Sequence, residues 1–141
     1  MLGNRTLMVP TYVWIATQVM KVLINLWLDR RLDFRYLVSA GGMPSSHSAL
    51  VTSLAIAVGV QEGVGSPLFA VALVFATVVM YDAAGVRQAV GVQARILNYI
   101  LDDLYAQRPI SEKRLRELIG HTPIQVIVGA LLGAGLTLLW L

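Results

Sequence analysis

The chain has 141 residues, 57% hydrophobic and 13% charged, with no cysteine and a formal net charge of +3; its mean hydropathy is +0.69. A soluble domain carries about a quarter charged residues, so this composition argues against a soluble helical bundle, and the lack of cysteine excludes disulfide and thiolate chemistry. The basic residues flank apolar runs as in membrane proteins, so no nucleic-acid partner is expected.

A bilayer-spanning helix needs about 20 mostly apolar residues. The first such run covers residues 7–28. It begins like a secretory leader, but no small-residue cleavage site follows and the run continues past Lys21 to Leu28, so it reads as a span. Residues 46–60 and 67–81 are shorter; the glycine-containing stretch 61–66 between them marks a helical hairpin. Residues 84–120 differ in kind. Val86, Val90, Leu97, Ile100, Leu101 and Leu104 recur at helical spacing, with Gln88, Arg95 and Asp102 on the other side, as in a helix lying in the membrane interface. Pro109 ends that pattern, and Ser111 with "EKRLREL" forms a short polar helix stopping at Gly120. The last span is 123–141, opened by Thr122, Pro123 and Gln125 in the pattern of a capping box. The expectation is a single all-α membrane domain over residues 1–141: a helical bundle of about four transmembrane helices, an interfacial amphipathic helix and a short polar helix.

If the spans alternate, the ends of the first and third share one membrane face with the starts of the second and fourth. "GGMPSSHS", "YDAAGVR" and "GHTPIQ" then meet there, and Lys21 lies about two turns before the end of the first span. That face also carries Arg30, Arg31, Arg35, Arg87, Arg95, Arg108, Lys113, Arg114 and Arg116, against Arg5 and Glu62 on the other. The positive-inside rule makes the polar face cytoplasmic.

Two histidines, a lysine and an arginine beside helix N-termini suit a phosphate-like anion, since free backbone N–H groups and the helix dipole favour negative charge. Arginine offers phosphate a planar fork and lysine a point charge, and imidazole attacks phosphorus or donates a proton near neutral pH. No carboxylate cluster has metal-ligand spacing, so a metal-independent reaction without a cofactor is expected. Each group also has a purely structural reading: Ser45 and Ser46 as a helix start, Thr122 and Gln125 as a cap, Lys21 as a snorkelling side chain. The convergence of both histidines on one face is what favours a site.

The stretches "ATQVMK", "GGMPSSHSA", "YDAAGVRQAVGVQARILN" and "GHTPIQVIVGALLG", in this order over about residues 4–133, resemble the divergent type-2 phosphatidic acid phosphatase family, related to acid phosphatases and vanadium-dependent haloperoxidases. The resemblance implies that Lys21 corresponds to the superfamily's first-motif lysine, Ser45 and His47 to its P-S-G-H motif, and His121 to the histidine that attacks phosphorus. The chain departs from the superfamily pattern in four places. Leu28 stands where an Arg-Pro pair would begin, Ser46 replaces glycine, Leu115 replaces arginine, and Gln125 replaces the aspartate that orients the nucleophile. Asp82 is expected to take over from that aspartate and Arg87 from the arginine; Arg87, Gly91, Ala94 and Asn98 share one small or polar helix face that presses on the site.

The resemblance therefore implies hydrolysis of a phosphomonoester or diphosphate on a membrane lipid through a phosphohistidine. His121, His47 and Asp82 are the catalytic residues, and Lys21, Ser45, Ser46, Arg87, Gln125 and Asn98 bind substrate. The alternatives are a non-catalytic phosphate or lipid-headgroup binder, such as a transporter or flippase component, and a structural bundle that self-associates through small residues such as Gly129 and Gly133.

Overall fold

A computed structural model describes residues 4–30, 42–105 and 121–141, apart from the side chains of residues 28, 29, 87, 88 and 103–105. The described residues form helices and short connections only: α1 Arg5–Asp29, α2 Ser46–Glu62, α3 Pro67–Ala84, α4 Val86–Tyr105 and α5 Pro123–Trp140. The short polar helix expected after Pro109 lies outside the described residues.

Among the described residues, three stretches are long and apolar enough to cross a membrane, Arg5–Trp27, Pro67–Asp102 and Pro123–Trp140. α2, with 17 residues, is shorter and packs against α1, α3 and α5. Its sequence explains that central place. Ser48, Ala49, Ser53, Ala55 and Ala57 are small and buried, so the neighbouring helices approach closely. On one side Val51, Ala55 and Val58 pack with Ala72 and Ala76 of α3; on the other Ala49 packs with Val9 and Val13 of α1, near Leu136 and Leu141. The outer surfaces are apolar, with Leu68, Val71, Val74, Phe75 and Val78 of α3 and Ile124, Ile127, Leu131 and Leu138 of α5 exposed. That is a lipid-facing pattern, and the protein is an integral membrane protein.

The starts of α1, α2, α3 and α5 carry a chemical signal of their own. The side chains of Asn4, Ser45, Ser66 and Thr122 accept from backbone N–H groups at the starts of α1, α2, α3 and α5. Pro67 and Pro123 occupy first-turn positions where a missing N–H costs nothing. The loop between α2 and α3 closes through Ser66 N–H to Gly63 O, 3.1 Å, with Gly63 at φ 86°, a value that favours glycine. α3 runs through Asp82 to Ala84, three residues beyond the span end read from the sequence. A carboxylate in the last turn, at the boundary, does not stop the backbone; Gly85, outside helical geometry at φ −103° and ψ −80°, does.

α1 and α2 are antiparallel. Thr6 donates to Gln61 at one end (2.7 Å) and Lys21 to Ser46 at the other (3.0 Å). Exposed Trp27 and Tyr81 stand at the Lys21 end, and Tyr12 packs edge-on against Trp140 at the other, with ring centroids 5.1 Å apart. These residues take the kind of position that the aromatic belts of membrane proteins occupy.

α5 fits against α2 through missing side chains. A Cβ on Gly129 would overlap the Ser45 carbonyl oxygen, and one on Gly133 the Ala49 carbonyl oxygen. One turn on, Thr137 donates to Ser53 (2.6 Å), both fully buried. The Gly129 and Gly133 stripe, which the sequence offers as a self-association face only in an alternative reading, is filled by α2 of the same chain.

Candidate functional site

The turn entering α2 is built by Gly42 at φ 94° and a cis peptide bond between Met43 and Pro44. It delivers Ser45 as the N-cap, fully buried, with its Oγ accepting from Ser48 N–H (3.3 Å) and Ser48 Oγ (3.0 Å). The Ser45 N–H donates to the Gln125 carbonyl at 3.2 Å, tying the α2 start to the first turn of α5. Ser45 therefore holds the helix start, while Ser46 turns toward α1.

Lys21 is fully buried and donates to Ser46 Oγ at 3.0 Å. It lies six residues before Trp27, so the site sits about 9 Å inside that aromatic position along the helix axis. From the other side, the His121 N–H donates to the Ala83 carbonyl (3.1 Å), joining the end of α3 to the start of α5. Asp82 is the residue before that acceptor and is partly buried. His121 is fully buried and His47 half-buried, and their ring centroids are 5.8 Å apart with planes inclined by 59°.

Lys21, Ser46, His47 and His121 thus come together at one end of the bundle, where α2 and α5 both begin. Their positive dipole ends face the same region. An ammonium, a hydroxyl, two imidazoles and two helix starts are gathered there, a set that suits an oxyanion.

The remaining sequence candidates fall into place differently. The Gln125 side-chain oxygen accepts from Thr122 N–H (3.0 Å), and Thr122 Oγ1 accepts from Gln125 N–H (3.3 Å), so the expected capping box is formed and that oxygen is engaged in it. Asn98 is buried with Gly91 and Ala94 on one face of α4. Arg87 belongs to the first turn of α4, and its side chain lies outside the described residues. Gln18 is among the buried polar residues that the sequence alone does not single out. Gln18 stands three positions before Lys21 in an apolar run, and an amide at that depth was the available signal.

The family profile described as the divergent PAP2 family matches residues 2–136. The chain belongs to this family. Its relatives include the uncharacterized membrane protein YuiD of Bacillus subtilis (strain 168), 41% identical over 149 residues that cover 98% of this chain and 94% of YuiD. No solved structure matches the chain. Within this divergent PAP2 protein, the residues aligned by resemblance to the superfamily motifs (Lys21, Ser45, His47 and His121) occupy one end of the bundle. The departures also have physical consequences here: Ser46, in place of glycine, supplies the hydroxyl that Lys21 binds, and Gln125, in place of aspartate, caps α5.

Proposed function

We propose that this divergent PAP2 protein is a lipid phosphate phosphatase whose site faces the cytoplasm. The observation that carries the reading is the pairing of His47 and His121, 5.8 Å between centroids, beside a buried Lys21 held by Ser46. Both imidazoles are within reach of one phosphate-sized ligand.

Lys21 and Arg87 hold the non-bridging phosphate oxygens. A ring nitrogen of His121 attacks phosphorus, the bond to the leaving oxygen breaks, and His47 donates the proton which that oxygen needs. Water then attacks the phosphohistidine, His47 takes its proton, and phosphate leaves with His121 regenerated. Asp82, whose chain neighbour Ala83 accepts the His121 backbone N–H, has the role of orienting the nucleophile in this reading. A phosphorylated membrane lipid fits a site just inside the aromatic belt; phosphatidylglycerophosphate, phosphatidic acid and polyprenyl phosphates all present the required group.

The purified protein in nanodiscs should release phosphate from such lipids, and His121→Ala should release none. Phosphate or vanadate binding by the parent protein without any turnover would favour the non-catalytic headgroup binder, which needs the same cations and helix dipoles but no nucleophile.

A further inference from the structure

Gln18 has no task in the chemistry above. It is 7% exposed, and its Oε1 is buried with no hydrogen-bond partner among the described residues. Polar neighbours on α1 are satisfied: Thr17 donates to the Val13 carbonyl (2.7 Å), Asn25 to the Lys21 carbonyl (2.8 Å) and Lys21 to Ser46 (3.0 Å). A buried acceptor without a donor bears its full desolvation cost, and methionine or leucine would fill the same space without it. The position calls for an acceptor that something else completes.

The chemistry of that partner is restricted. A carbonyl oxygen only accepts, so the partner must donate, and an ionised phosphate oxygen does not. Gln18 precedes Lys21 by three residues, about 4.5 Å along the helix axis toward the bilayer centre. Helical side chains also lean toward the N-terminus, away from this membrane boundary. With phosphate at Lys21, the part of a lipid at the depth of Gln18 is the carbon skeleton adjoining the phosphoester.

We propose that Gln18 is a specificity-determining residue of this site, selecting phosphomonoesters with a free hydroxyl on the carbon next to the phosphorylated one. The assignment rests on the phosphate-site reading above. Monoacyl glycerol phosphates and phosphatidylglycerophosphate carry such a hydroxyl; phosphatidic acid, esterified there, and polyprenyl phosphates do not.

The test is binding by the full chain in nanodiscs of non-hydrolysable phosphonates in matched pairs. One pair is a monoacyl glycerol phosphonate with and without its free hydroxyl; the other is the phosphonate of phosphatidylglycerophosphate with and without the hydroxyl beside the phosphoryl group. The pair showing the larger difference tells whether the hydroxyl comes from the lipid backbone or from the headgroup. The hydroxylated member should bind about three- to tenfold more tightly, the worth of one neutral hydrogen bond. In Gln18→Met and Gln18→Leu that ratio should fall to about one, with affinity for the deoxy member unchanged within about twofold. Equal binding of both members of each pair by the parent protein, as expected if water satisfies the amide, overturns the proposal; so does a ratio that survives in either variant. Hydrolysis of the corresponding phosphate esters is read separately. A hydroxyl preference without turnover removes the phosphatase and keeps the role of Gln18, whereas turnover without preference does the reverse.

Discussion

His47 and His121 lie at the starts of two different helices, α2 and α5, with ring centroids 5.8 Å apart. They are held there by backbone bonds on either side: Ser45 N–H to the Gln125 carbonyl joins α2 to α5, and His121 N–H to the Ala83 carbonyl joins α5 to α3. The imidazole pair is therefore a product of the bundle and not of one loop. Displacing α5 would separate the rings.

In the proposed reaction the two rings have different tasks, so their loss should look different. His121→Ala removes the nucleophile and should abolish hydrolysis of every ester. His47→Ala removes the acid and should slow lipid phosphate hydrolysis by about 10²–10⁴-fold. Formation of the phosphohistidine from p-nitrophenyl phosphate should be slowed much less, because that leaving group departs without a proton, whereas hydrolysis of the phosphohistidine, with His47 as base, is slowed alike for both substrates. Single-turnover release of the leaving group from both substrates checks this; equal losses for His47→Ala in that first step would contradict the acid role.

The helices were legible because apolar runs of membrane length admit little else, and two of their starts read as caps, at Ser45 and Thr122. The gathering of the histidines and Lys21 at one end followed from alternating span direction. Three features were not legible, each because it depends on a partner the sequence does not name. Gly129 and Gly133 form a small-residue stripe whether the facing helix is α2 or a second copy; the Ser45 and Ala49 backbones occupy it. Gln125 reads equally as ligand contact or cap until its oxygen is found on Thr122 N–H. Gln18 reads as one polar residue in an apolar run until its burial without an acceptor's partner is seen.

The packing of α5 gives a stability test with an internal control. A methyl group on Gly133 meets the Ala49 backbone, including its Cα at 2.7 Å, whereas one on Gly135 meets nothing within 4 Å. Backbone atoms in a packed helix cannot step aside, so Gly133→Ala should destabilise by about 1–3 kcal/mol. Gly135→Ala should be neutral or stabilising by about 0.5–1 kcal/mol, because it removes glycine's entropy cost from an open helix position. Thermal unfolding in detergent, followed by tryptophan fluorescence, distinguishes them. Equal midpoints for the two variants would mean that α5 does not sit on α2 as described.

Orientation is a separate question from fold. In the sequence the arginine-rich segments connect α1 to α2 and α4 to α5, so under the proposed orientation the positive-inside rule would put the site at the cytoplasm and Leu141 on the opposite side. A reporter active only outside the cytoplasm, fused after Leu141, should be active. A cytoplasmic signal from that fusion would invert the protein and move its substrates to the other leaflet.

Asp82 and Arg87 offer the sharpest separation of catalysis from binding. Asp82 precedes the carbonyl that accepts the His121 backbone N–H, which places it beside the start of α5. A carboxylate that steadies a developing imidazolium acts mainly in the transition state, while affinity for the ground-state anion comes from the cations. Asp82→Asn should therefore lower kcat by at least about tenfold with vanadate affinity nearly unchanged. Arg87→Ala should show the opposite emphasis, weakening vanadate binding by about 1.5–3 kcal/mol through loss of a charge-assisted bond. Gln125→Asp then asks whether the superfamily carboxylate can work from its usual helix. It keeps an acceptor in the first turn of α5, where negative charge is favoured, so the helix should tolerate it, and it should restore part of the turnover lost in Asp82→Asn. Rates and vanadate inhibition constants for the parent, the three single variants and the Asp82→Asn, Gln125→Asp double variant decide the matter. If Asp82→Asn leaves kcat intact, Asp82 does not orient His121, and the nucleophile must be held by another group.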